Sequence, residues 1–384
     1  MRNASESAHN KRVMLVFGTR PEAIKMLPVV QELRKRPDVE PVVVVTGQHR
    51  EMLQQVFDMF DEKPDLDLAL MTHKQSLSEI AARMLTATAQ CIDEVRPAIV
   101  LVHGDTTTAL SAASAAFYAR VPIGHVEAGL RSHDFNKPWP EEFNRVGVDL
   151  LSTLLFAPTE TSAQNLQQEP NCRGEVHVTG NTGIDALLSV AAALERDADR
   201  RAAVALQLPK LNPHKKLVVV TGHRRESFGQ GFEEICQGLT MIGQRRDVEV
   251  VYPVHLNPAV RSVVLERLAG QSNIHLIDPV NYAEMVYLMN AAHVLLTDSG
   301  GIQEEGPALG KPVLVMRDVT ERPEALATGV AQLVGTNPDT MSARVHQLLD
   351  DREEYARRSR AVFPYGRGDA SVKIASIISE WTGR

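Results

Sequence analysis

Apolar residues in this chain come in short unbroken runs rather than alternating with polar ones. Such runs lie at 13–17 (VMLVF), 41–45 (PVVVV), 98–102 (AIVLV), 121–126 (VPIGHV) and 154–157 (LLFA). Longer segments with helical spacing separate them, near 21–36, 49–60, 76–96, 106–119 and 142–153. A run without alternation marks a strand buried on both faces, as in a parallel sheet covered by helices. Right-handed crossovers then give a doubly wound domain. The pattern restarts after about residue 212, with strands predicted at 216–221, 248–252, 273–277, 293–297 and 312–315. Between the halves, 185–209 reads as one helix and LPKLNPHKK as a hinge. The stretch 370–382 reads as an amphipathic helix whose Val372, Ile374, Ile377, Ile378 and Trp381 need a docking surface. The fold class expected is α/β, with two Rossmann-like domains facing across a cleft at the carboxyl ends of their strands, where such folds bind ligands.

Composition narrows the partners. A length of 384 residues suits about two domains, and 43% apolar residues suffice for a core in each. A net charge of −7 argues against nucleic acid or an acidic membrane surface. Cys91, Cys172 and Cys236 fit neither a zinc site nor a disulfide framework, which suggests a reducing compartment. No apolar run approaches the ~20 residues that span a bilayer. The first eleven residues are polar, lack the core of a secretion signal and read as a disordered tail. A cytoplasmic location is expected.

Polar clusters follow the predicted strands. In FGTRPEAIK (17–25), Gly18 permits a tight turn, Pro21 suits a first helical turn, and Arg20 and Lys25 beside a helix N-terminus favour an anion. A capped helix with solvated charges is the plainer alternative. In HGDTTTAL (103–110), Asp105 stands at a helix N-cap position, and capping alone would explain it. In HVEAGLRSHDFNKPWPEEFNR (125–145), Glu127 ends a strand and Glu141 opens a helix, with Glu142 available as the cap partner. If Asp105, Glu127 and Glu141 converge, their repulsion raises at least one pKa, as acid/base work requires. In TGHRRESFG (221–229), His223, Arg224 and Arg225 precede a helix start at Glu226, and His223 could neutralise phosphate or carry a proton. In TDSGGIQEEG (297–306), Gly300 and Gly301 let backbone N–H groups approach a ligand, Ser299 adds a hydroxyl, and Glu305 could accept from a sugar diol. In RDVTERPEA (317–325), Arg322 either points toward a diphosphate or pairs with Asp318 or Glu321. His293 and the apolar positions of 285–289 read as structural.

Together the stretches FGTRPEAIKM, TGQHREML, VHGDTTTA, HVEAGLRS, PWPEE, VTGNTGID, TGHRRESFG, TDSGGIQEEG and TERPEA resemble the bacterial non-hydrolysing UDP-N-acetylglucosamine 2-epimerases, in family order from residue 17 to 325. The resemblance implies the two-Rossmann, GT-B-like architecture of many nucleotide-sugar glycosyltransferases, and a homodimer. It also implies a C-terminal helix returning to the first domain, hence domains of 1–180 plus 368–384 and 181–367. It implies Asp105, Glu127 and Glu141 as acid/base carboxylates. Arg20, Lys25 and His223 would hold or neutralise UDP. Ser299, Gly300 and Gly301 would form the diphosphate turn, Glu305 the ribose contact and Arg322 a further ligand contact. Gln48 and His49 match a region where bacterial members bind a second UDP-GlcNAc as activator, with His255 bordering it. The chain departs from the family pattern at Met285, where several relatives carry phenylalanine beside uracil, at Arg367 in FPYGRGDA, which replaces an acid, and in the HDFNK segment before PWPEE.

The implied reaction is reversible C2 epimerisation of UDP-GlcNAc to UDP-ManNAc, serving surface polysaccharide synthesis. The C2 hydrogen is not next to a carbonyl, which argues against simple deprotonation. Oxidation by NAD would want a GxGxxG loop, which is missing from the sequence. The resemblance implies C1–O cleavage with C2 deprotonation to UDP and 2-acetamidoglucal, then re-addition. That route needs no cofactor and no metal. Asp105 or Glu127 would be the base and Glu141 the acid. A hydrolysing epimerase releasing ManNAc, a glycosyltransferase of the same architecture and a UDP-sugar sensor are the alternatives.

Overall fold

The computed structural model describes residues 11–47, 50–70, 75–224 and 227–383. Gln48, His49, Arg225 and Glu226, and all of the expected tail except Lys11, lie outside the described residues. The chain divides into two compact units, Met1–Ala186 with Gly366–Arg384, and Leu187–Tyr365.

The first unit is built on strands β1 (Lys11–Phe17), β2 (Val39–Val45), β3 (Leu66–Asp67), β4 (Ile99–His103), β5 (Ile123–Val126), β6 (Leu154–Ala157) and β7 (Glu175–Val178). Its helices are α1 (Arg20–Arg34), α2 (Arg50–Phe60), α3 (Leu77–Val95), α4 (Thr107–Tyr118), α5 (Glu141–Leu151), α6 (Glu160–Gln168) and the start of α7 (Thr182–Arg196). The sheet is parallel, in order β3-β2-β1-β4-β5-β6-β7. All of β4 and the last five residues of β1 are buried, as unbroken apolar runs require. The alanines of α4, among them Ala109, Ala112 and Ala116, pack against Val100 and Val102.

The second unit holds α8 (Ala198–Leu206), β8 (Lys216–Thr221), α9 (Gln230–Gly243), β9 (Val248–Pro253), α10 (Pro258–Leu268), β10 (Ile274–Ile277), α11 (Tyr282–Ala291), β11 (Val294–Thr297), α12 (Gly300–Ala308), β12 (Val313–Val315), α13 (Pro323–Ala327), β13 (Ala331–Leu333), α14 (Pro338–Asp350) and α15 (Arg352–Arg358). Its parallel sheet runs β10-β9-β8-β11-β12-β13. The core joins Val218, Val220, Val250 and Tyr252 to Phe232, Ile235 and Leu239 of α9. Both units are thus Rossmann-like. In each, strand order reverses beside the first strand, between β1 and β4 and between β8 and β11, and the crevice at that point is where open α/β sheets take ligands.

Three expectations need correction. The segment 185–209 is two helices, because Asp197 caps α8 with its carboxylate, accepting from Arg200 N at 2.9 Å. Strands β3, β7 and β13 carry too few buried apolar residues to stand out in the sequence. The C-terminal helix α16 (Ala370–Thr382) docks through Ile374, Ala375 and Ile378, whereas Val372 is 43% exposed. It packs on α1. Arg36 Nη2 donates to Ser376 Oγ at 2.6 Å, and the amides of Ala370 and Ser371 donate to Asp185. Among the described residues no helix is long and apolar enough to cross a membrane.

Candidate active site

Loops at the carboxyl edge of the first sheet carry the candidate acids. After β1, Thr19 and Glu22 form a capping box that opens α1, with Pro21 in the first turn. Glu22, 2% exposed, accepts from the amides of Gly18 and Thr19 and from the Thr106 hydroxyl at 2.7 Å. One buried carboxylate therefore ties the β1 loop to the β4 loop. Gly18 serves close approach rather than a turn, since an added Cβ would stand 2.1 Å from Thr46 Oγ1. Burial lowers the pKa of the Arg20 guanidinium.

After β4, Thr106 and not Asp105 caps α4, accepting from Ala109 N at 3.0 Å. Asp105 is released from capping. Its carboxylate takes Arg145, and its carbonyl takes Asn144 Nδ2 at 2.9 Å. Beyond β5, Glu127 adopts a left-handed φ of 68°, a conformation that costs a non-glycine residue roughly 1 kcal/mol or more. Its carboxylate pairs with Lys25 and lies 3.6 Å from His103 Nε2. Burial pushes its pKa up, but Lys25 and His103 together outweigh that and hold it well below the usual carboxylate range. The expected mutual repulsion of the acids is not what sets this group; Lys25 and His103 do. His103 and Val126 are register partners, so Asp105 and Glu127 leave neighbouring strands side by side.

Glu141 is half-buried at the head of α5. Glu142 does not cap that helix. It is 1% exposed, accepts from the amides of Ser132 (3.0 Å) and His133 (2.9 Å), and so fastens the 128–140 loop to α5. Arg145 then bridges Glu142 and Asp105. The helix that carries Glu141 is thereby tied to the segment that carries Asp105.

The loops of the second sheet carry the candidate anion-binding groups. Asp298, fully buried, accepts from the amides of His223 (2.7 Å) and Arg224 (2.8 Å), and its other oxygen lies 3.3 Å from His223 Nδ1. His223 stacks on His255, with ring centroids 5.5 Å apart. Burial lowers the His223 pKa, helped by Arg224 and His255 and opposed by Asp298. Ser299 stands at the N-cap of α12 without capping it, so Ser299, Gly300 and Gly301 present a hydroxyl and helix-start amides. A Cβ added to Gly300 would lie 3.5 Å from Arg322 Nη2 and 3.9 Å from Arg224 Nη2. Two guanidinium groups therefore flank this N-terminus. Arg322 pairs with Glu304 rather than with Asp318 or Glu321, and Glu321 pairs with Arg317 at 2.9 Å. Glu305 accepts from the Tyr282 hydroxyl at 2.7 Å.

Sequence reasoning missed His103, Arg145, Tyr282 and Asp298 as partners. Asp298 alone had a local signal, an acid directly after a strand and before Ser-Gly-Gly. The others act across long sequence separations.

The fold and these loops define a protein of the two-Rossmann class with candidate acid/base carboxylates on one unit and a candidate anion-holding helix start on the other. The family model for UDP-N-acetylglucosamine 2-epimerase matches residues 31–379. The chain is 52% identical over 368 residues to the UDP-N-acetylglucosamine 2-epimerase of Escherichia coli K12, covering 96% of this chain and 98% of that one. It superposes on the Neisseria meningitidis UDP-GlcNAc 2-epimerase bound to UDP-GlcNAc with a TM-score of 0.89 and 44% identity, over 96% of this chain and 100% of that chain. It superposes on S. aureus MnaA with UDP at a TM-score of 0.84 and 43% identity, over 97% of each chain. The chain belongs to the UDP-N-acetylglucosamine 2-epimerase family.

Proposed function

We propose that this chain interconverts UDP-GlcNAc and UDP-ManNAc by eliminating and re-adding UDP. The carrying observation is the division of charge: Asp105 and Glu127 are held by Arg145 and Lys25 at the first sheet's edge, and Arg224 and Arg322 flank the α12 start. In the forward step the C1–O electron pair leaves with UDP, the C2 proton passes to a carboxylate, and the C2–H electrons form the C1=C2 bond. Asp105 or Glu127 takes that proton, and Glu141 returns one to the opposite face. Arg20, Lys25, His223 and the Ser299–Gly301 turn neutralise the departing diphosphate, with Glu305 on the ribose. In heavy water, deuterium should enter C2 of both sugars with no release of free ManNAc. Free ManNAc as the main product would favour hydrolysis instead.

A second outcome follows from His223. Its depressed pKa leaves it mostly neutral near pH 7 in the free protein, while a bound diphosphate favours the imidazolium. Binding of UDP-GlcNAc should therefore take up a proton, and affinity should rise as pH falls from about 7.5 toward 6. Calorimetry in two buffers of different ionisation enthalpy measures the uptake, and His223→Gln should abolish it.

A cytoplasmic homodimer completes the reading. The exposed aromatic patch of Phe135, Trp139 and Phe143, with Phe135 and Phe143 in edge contact at 6.1 Å, supports a subunit interface on the first unit. Activation by a second UDP-GlcNAc, with Gln48, His49 and His255 as its candidate residues, is tested by the dependence of the reverse reaction on added UDP-GlcNAc.

A further inference from the structure

Beneath the carboxylates lies a buried ionic triad that no step above uses. His125, at 0% exposure, sets Nδ1 2.6 Å from Asp149 Oδ1 and Nε2 2.8 Å from the Gly104 carbonyl oxygen. The other oxygen of Asp149, also at 0% exposure, accepts from Arg131 Nη1 at 2.6 Å. Each ring nitrogen thus faces a protein oxygen, one from Asp149 and one from Gly104.

Every partner adjoins the proposed chemistry. Gly104 precedes Asp105. His125 lies two residues before Glu127. Arg131 precedes Ser132, whose amide Glu142 holds. Helix α5 connects them all, because Glu142, Arg145 and Asp149 follow at i, i+3 and i+7 and share one face. The first binds the Ser132–His133 amides, the second Asp105, and the third His125 with Arg131. A buried ion cluster is a weak source of stability, since apolar residues of equal volume often do as well. What this one supplies is register among three chain segments.

We propose that Asp149 and His125 are positioning residues, which through the Gly104 carbonyl and the inner face of α5 hold Asp105 and Glu127 where proton transfer needs them. This rests on the epimerase reading above. Misplacing a reacting group by about 1 Å can cost on the order of 100-fold in rate.

The test uses Asp149→Asn and His125→Gln in the full-length protein. In Asp149→Asn, kcat should fall by about 30- to 100-fold while KM for UDP-GlcNAc and Kd for UDP stay within about threefold of wild type. Its crystal structure should show the Gly104 carbonyl turned from His125 and Asp105 shifted relative to Arg145. Arg131→Lys, which keeps a cation on Asp149, should lose less activity than Arg131→Ala. A kcat within about twofold of wild type in the folded variants overturns the proposal, as does a structure in which Asp105 and Glu127 have not moved. If Asp149→Asn does not fold, His125→Gln and the Arg131 pair decide by the same readouts. A wild-type protein that binds UDP but makes no UDP-ManNAc overturns the epimerase reading instead, and the crystal structures then decide the positioning claim.

Discussion

Glu127→Gln should lower kcat for UDP-GlcNAc epimerisation by about 10³-fold, within the range that a positioned acid or base contributes, and leave UDP binding nearly intact. Glutamine preserves shape and the polar contact with His103 but cannot accept the C2 proton. The wild-type carboxylate is ionised and held down by Lys25 and His103. A base so stabilised is weak, and a substrate anion that attracts Lys25 would strengthen it at the moment of use. Steady-state kinetics with a parallel UDP titration checks the expectation. Asp105→Asn and Glu141→Gln should also cut turnover severely. Asp105→Asn is less clean, because it takes from the part-buried Arg145 one of the two carboxylates it bridges. Near-normal turnover in all three variants would contradict the assignment of acid/base work to these groups.

Gly129→Ala should destabilise the protein by roughly 3 kcal/mol, from left-handed strain and overpacking combined. Gly129 has φ of 86°, and an added Cβ would lie 2.3 Å from the Ser162 carbonyl oxygen and 2.8 Å from Leu166 Cγ. Backbone of α6 is the obstacle, so no side-chain rotation relieves it. The Gly129 carbonyl also accepts from Asn165 Nδ2 at 3.0 Å, which seats the segment after Glu127 on that helix. Chemical denaturation measures the loss. A change below about 0.5 kcal/mol, the range of an ordinary surface substitution, would mean the loop has freedom that the packing denies.

The two sheets were legible because parallel strands buried on both faces write themselves as unbroken apolar runs. Motifs after those strands located the candidate groups at the ends of β1, β4, β5, β8 and β11. Charge states and partners were not legible. Asp105 looks like a helix cap until Thr106, one residue on, is seen to take that position. Glu127 looks like one of several repelling acids until Lys25 and His103 arrive from α1 and β4. Glu142 reads as a cap partner because it stands in the first turn of a helix, yet its partners are the Ser132 and His133 amides of the preceding loop. Arg322 forms its ion pair with Glu304 on α12 rather than with the Asp318 or Glu321 carboxylate. In each case the deciding contact comes from tertiary folding or from competition between adjacent residues, and local patterns are blind to both. The split of 185–209 had a local sign in Asp197, an N-cap residue inside an otherwise helical run.

Epimerisation by elimination and re-addition of UDP requires the C1–O bond to break, and positional isotope exchange reports that cleavage. UDP-GlcNAc labelled with ¹⁸O in the bridge between C1 and the β-phosphorus should scramble that label into the non-bridging β-phosphate positions while UDP-ManNAc forms. Formation of UDP-ManNAc with the label still wholly in the bridge would contradict the account.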